Sequence, residues 1–101
     1  MSSRVTFLSR PPFEADIATI TVGYNVRDLT VKNIETLLES EGDIKAQIIL
    51  VDNWSQDGTV EAVEARFPEV WLVKNRYNTG FAHAVNQGIA AARSRHILLL
   101  N

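Results

Sequence analysis

Short apolar runs alternate along the chain with stretches in which apolar residues recur every three or four positions. Ile17 to Val22 (IATITV) is brief and β-branched, bounded by Asp16 and by Gly23-Tyr24-Asn25. That is the signature of a buried strand. Gln47 to Val51 (QIILV) repeats it almost without polar interruption, as strands of a parallel sheet do. Val70 to Val73 (VWLV) and His96 to Leu100 (HILLL) supply two more strands. Between the first two, Leu29, Val31, Ile34, Leu37 and Leu38 fall at helical spacing, with Asp28, Thr30 or Asn25 available as caps. They predict a first helix over roughly 28–41, ending near Gly42. Val60, Val63 and Phe67 mark a second helix, stopped by Pro68. Phe81, Ala82, Val85, Ile89 and Ala92 trace a third. Gly88 lies inside it at a cost of about 1 kcal/mol relative to alanine, which close packing against a sheet would explain.

The order β-α-β-α-β-α-β predicts an α/β three-layer sandwich with a mainly parallel sheet and right-handed crossovers. Residues 1–14 read as a lead-in, since Pro11 and Pro12 block regular structure; Val5 to Leu8 has room for one short strand, though a loose tail fits better. Residues 15–101 form the domain. In such sheets ligands bind beyond the carboxyl ends of the strands. The three strand-to-helix junctions, Gly23–Asn25, Asp52–Thr59 and Lys74–Gly80, would share that edge and gather most of the Asn, Asp, Gly and Tyr outside the helices.

Composition narrows the function classes. With 101 residues there is room for one small domain of modest stability. Net charge is −2, with no Lys/Arg cluster of the kind that tracks a phosphate backbone, which excludes general nucleic-acid binding. The absence of cysteine removes disulfides, thiolate metal sites and cysteine nucleophiles together. No apolar run approaches the ~20 residues of a membrane span, and Met1 to Arg10 lacks a signal-peptide core. A soluble cytoplasmic chain is expected, with peripheral attachment at the inner face of a membrane left open. Gly-rich dinucleotide and P-loop signatures are missing, as is GxSxG.

The candidate chemistry lies at the junctions. Asn53, at the end of a rigid strand, offers one acceptor and two donors, enough to meet the edge of a uracil or thymine with two hydrogen bonds. Asp52 can accept from a ribose hydroxyl or from local backbone N–H groups. The same pair serves equally well as an Asx turn and helix cap. Ser55, Asp57, Gly58 and Thr59 suit the architecture of the second helix start. Tyr24 can stack on a base or form a half-buried rim. Asn78, Thr79 and Gly80 precede the third helix, whose N-terminus favours anions such as a diphosphate. Arg76 and His83 read better as solvated residues.

ITVGYN, then ILVDNWSQDGT, then FPEVWLVKNRYNTGFAHAVNQGIAAARSRHILLLN together resemble the N-terminal half of inverting family-two glycosyltransferases with the GT-A fold, nearest the rhamnosyltransferase-like branch. The likeness covers roughly residues 17–101. It implies a Rossmann-like nucleotide-diphospho-sugar transferase half, truncated after the fourth strand. The implied donor is a UDP- or dTDP-linked sugar, with dTDP-rhamnose a candidate, and the acceptor a glycan or lipid-linked glycan. Tyr24 would pack on the base, Asn53 would read its edge, Asp52 would help order that pocket, the Asn78 to Asn86 segment with Gly80, Phe81 and Ala82 would lie along the donor, and Asn25 and Ser55 would belong to the same nucleotide-sugar-binding set. Gly23 stands where threonine is commoner, and His83 where a small residue is usual. Asn101 matches the first position of a motif that ligates divalent manganese or magnesium. The catalytic base of such enzymes falls beyond this chain, so the fragment itself is expected to be inactive. Two alternatives belong to other classes. One is a non-catalytic module that pairs with another copy or a partner through an exposed sheet edge. The other is a nucleotidyltransferase, which would need a basic Gly-rich loop after the first strand.

Overall fold

The computed structural model describes residues 15–40 and 45–100. The lead-in, the strand considered at Val5–Leu8, Gly42 and Asn101 lie outside them. Seven elements follow in the expected order: β1 (Ala15–Gly23), α1 (Arg27–Ser40), β2 (Ala46–Asp52), α2 (Thr59–Arg66), β3 (Trp71–Lys74), α3 (Phe81–Ala91) and β4 (Ser94–Leu100). The strands form one sheet of order β3-β2-β1-β4, and every pairing is parallel. The fold is thus the expected α/β sandwich.

Side-chain alternation along β2 divides the core into two layers. Ile49 and Val51 join Ala18 and Ile20 of β1 against Ala84 and Ala92. Leu50 points the other way, into a cluster with Ile34 of α1 and with Val63 and Phe67 of α2 and its end. Hence α3 covers one face of the sheet, while α1 and α2 cover the other. Gly88 is the point of closest approach. A Cβ built there would lie 2.5 Å from Cγ2 of Ile20, so the helix sits on the sheet at a distance only glycine permits. Buried Gln47 fixes the far end of α3. Its amide donates to the Ala91 carbonyl and its oxygen accepts the Arg93 N–H.

β4 is different. Ile97, Leu98 and Leu99 are consecutive, so they face both sides of the sheet, and all three are exposed. The chain therefore carries an apolar strand edge, as the sequence led us to expect. Exposed ion pairs join Arg66 to Glu35 and Lys74 to Glu64; at such exposure they contribute little.

Candidate functional site

The register puts Gly23 opposite Asp52 and Asp52 opposite Lys74, so the loops leaving β1, β2 and β3 start side by side on one edge. Leu100 of β4 ends opposite Thr21 on the same edge. Side chains then tie these loops into one body.

The first knot joins the β1 and β2 loops. Asp52 is 1% exposed. Its carboxylate accepts the Ser55 N–H at 2.8 Å and the Ser55 hydroxyl at 2.6 Å. The Ser55 oxygen in turn accepts the Asn25 N–H at 2.9 Å, and the Asn25 side chain accepts the Gln56 N–H at 2.7 Å. The Asn53 N–H donates to the Gly23 carbonyl. Asn25 takes a φ of 54°, a left-handed conformation that asparagine tolerates. It does not cap α1, as its sequence position suggested. Its oxygen is occupied by the neighbouring loop.

Asp57 supplies that cap instead. It accepts the Arg27 N–H at the head of α1 and both the N–H and hydroxyl of Thr59 at the head of α2. One carboxylate thus satisfies an orphan donor on each of two helices. The Thr59 hydroxyl above all, then the backbone N–H groups of Arg27 and Thr59, hold its carboxyl below the usual carboxylate range.

The second knot joins the β2 and β3 loops, and Asn53 is its centre. The Asn53 oxygen accepts from Asn75 Nδ2, from the Thr79 N–H and from the Thr79 hydroxyl, each at 3.0 Å. Its amide nitrogen donates to the Gly80 carbonyl at 3.1 Å. Asn75 and Gln87 of α3 exchange a reciprocal pair of amide hydrogen bonds, each 2.8 Å. Asn53 is 3% exposed, and its oxygen is engaged by these three donors within the protein. Asn75 was not singled out as a site residue. Asn75 could have been, since it directly follows β3 as Asn53 follows β2.

The remaining expected residues stand at the open rim. Tyr24 is 49% exposed and Phe81 is exposed. Asn78 accepts the Gly80 N–H, an Asx turn that aims the start of α3. Gly80 adopts φ 86°, reserved in practice for glycine, and precedes the free N–H groups of α3. Asn86 and His83 are exposed on that helix. A shallow depression of about 290 Å³ flanks the site, lined by Asn25 to Leu29 and Asp57. The edge is therefore a polar, preformed cradle with aromatic rings at its lip, suited to a flat ring joined to an anion.

The model of glycosyl transferase family 2 matches residues 19–101, almost the whole described domain. The chain belongs to glycosyl transferase family 2. It is 37% identical to the succinoglycan biosynthesis protein ExoO of Rhizobium meliloti (strain 1021) over 87 residues, 85% of this chain and 25% of that protein. It is 32% identical to the SPbeta prophage-derived glycosyltransferase SunS of Bacillus subtilis (strain 168), over 87% of this chain and 21% of SunS. Among solved structures, the mannosyltransferase PcManGT from Pyrobaculum calidifontis, in complex with GDP-Man and Mn2+, superposes with a TM-score of 0.65 at 27% identity; the match covers 80% of this chain and 28% of that one. The chain thus spans about a quarter of the length of these relatives.

The family-2 domain of the chain carries its polar loops on one sheet edge. Its described residues hold no group of three His, Asp or Glu able to bind a metal ion. The position expected to begin a metal motif, Asn101, lies outside them. Among the described residues no helix is long and apolar enough to cross a membrane.

Proposed function

We propose that this chain is the nucleotide-binding portion of a glycosyltransferase, holding the nucleoside diphosphate of a sugar donor at the carboxyl edge of its sheet. The observation that carries the reading is the convergence of the three loops. Side-chain hydrogen bonds lock the β1, β2 and β3 loops to one another at a single edge, with Tyr24 and Gly80 on the rim. In the reading, Tyr24 packs on the base, and the Asn78–Phe81 segment with the α3 N-terminus lies along the diphosphate. Asp52, Asn53 and Ser55 position these parts. The likeness to a succinoglycan biosynthesis protein supports a role in polysaccharide assembly for the complete enzyme, with inversion at the anomeric carbon and a glycan or lipid-linked acceptor. A UDP- or dTDP-linked donor, dTDP-rhamnose included, follows from the rhamnosyltransferase-like pattern. The neighbour carries a guanine nucleotide. The base class is therefore decided by titration.

Isotope-labelled protein titrated with UDP, dTDP and GDP, with and without Mn2+, tests this. Saturable shifts at Tyr24, Asn78, Gly80 and Phe81 are expected with at least one nucleotide. Silence at millimolar concentrations of all three would refute it. The exposed apolar edge of β4 favours a second reading, a non-catalytic module that pairs through that strand. A tight dimer in light scattering, together with silence towards nucleotides, would favour it.

A further inference from the structure

Trp54 occupies the third position of the turn that Asp52 closes onto Ser55, with φ 76°. Glycine or asparagine suits such a position; a bulky side chain in the left-handed region is a true outlier. Burial does not compensate, because the residue is 47% exposed. Strained backbone of this kind persists where the surroundings enforce it, and it gathers at binding sites. Here the enforcement is visible. The Asp52 carboxylate clamps both the N–H and the hydroxyl of Ser55, and Gln56 is pinned to the Asn25 side chain.

The same bonds hold the backbones of Tyr24 and Trp54 on adjoining loops. Gly23 and Asn25, the residues flanking Tyr24, bind Asn53 and Ser55, the residues flanking Trp54. Two half-exposed aromatic residues are thus held at matching positions on adjacent loops, at the lip of the cradle.

We infer that Trp54 is a specificity-determining contact of this site, supplying a second aromatic face for the nucleobase alongside Tyr24. The inference rests on the nucleotide-binding reading above and adds to it a residue that reading does not use. Base–aromatic stacking tolerates any base but responds to ring size, so Trp54 would favour the larger purine surface over a pyrimidine.

The two tryptophans make the test direct. In a Trp71→Phe background Trp54 is the sole indole; Trp71 sits on β3, away from the loops. Titration with UDP, dTDP and GDP is expected to quench its emission saturably, and free monosaccharide is expected to leave it unchanged. Trp54→Phe should keep most of the affinity. Trp54→Gly should weaken it roughly 5- to 150-fold, the range a lost base stack gives, while raising the urea midpoint because the backbone strain is relieved. That opposed pair of signs is one a purely structural tryptophan would not produce. Undiminished nucleotide affinity in Trp54→Gly, or quenching by sugar alone, overturns the inference and leaves the nucleotide reading standing. If no nucleotide shifts any amide of the unmodified protein, both fall.

Discussion

Replacing Gly88 with alanine sets two effects of known sign against each other. An alanine in the interior of α3 gains about 1 kcal/mol of helix propensity. Against this, its Cβ would lie 2.5 Å from Cγ2 and 3.3 Å from Cδ1 of Ile20, where 3.4 Å is the near limit of ordinary contact. Ile20 of β1 is wholly buried in the cluster with Ile49, Val51 and Ala84, so it has no open space to turn into. Overpacking of this kind costs about 1–3 kcal/mol, and a 2.5 Å clash belongs at the upper end. The expected net loss is about 1–2 kcal/mol, or a fall in Tm of roughly 5–15 °C for a domain this small. Urea unfolding followed by circular dichroism measures it. The double variant Gly88→Ala/Ile20→Ala isolates the cause. Truncating Ile20 removes the offending γ carbon, so the two losses should fall short of additive by about 1–3 kcal/mol. Ile20→Val keeps Cγ positions and should give no such relief. The clash also reaches the site, because Gln87 precedes Gly88 and pairs with Asn75. Amide signals of Asn75 and Thr79 should move with the substitution. A Gly88→Ala protein as stable as the parent, or more so, would refute the packing argument.

Asp57→Ala should destabilise the domain and loosen the β1 loop, seen as lost protection of the Arg27 and Thr59 amides in hydrogen exchange, because both N–H groups lose their acceptor. The pH dependence follows from the same carboxylate. Its folded-state pKa is depressed, so its stabilisation is complete above the unfolded value and disappears as pH falls through the folded one. The urea midpoint should therefore drop on acidification below about pH 4, and Asp57→Ala should flatten part of that drop. A parallel pH profile in the variant would count against the assignment. Leu98→Lys places a charge in the exposed apolar edge of β4 and should reduce concentration-dependent self-association in light scattering; unchanged scattering would mean that the edge does not mediate it.

Much of the architecture was legible because it is encoded locally. The period of the apolar residues placed all seven elements within a couple of positions of their observed bounds, and Gly88 announced its own close packing. The gathering of polar residues at three junctions also pointed to the right edge. What could not be read was who binds whom there. Local capping rules assign Asn25 to α1, yet the acceptor for that helix comes from Asp57, far along the chain. Asn53 presents the right groups for a base edge. Only the folded positions of Asn75, Thr79 and Gly80 reveal the partners its side chain takes within the protein. Trp54 read as one letter of a polar turn, since backbone sign is invisible without coordinates.

The pairing of β1 with β4 brings Ala15 against Ser94, so β1 finds its second neighbour only after three helices and two strands have been made. Loop closure between such distant partners slows folding. During synthesis β1 has one flank satisfied by β2 and the other open until β4 emerges. The interval in which that flank is bare, rather than the finished fold, is where chaperones would have the most to do.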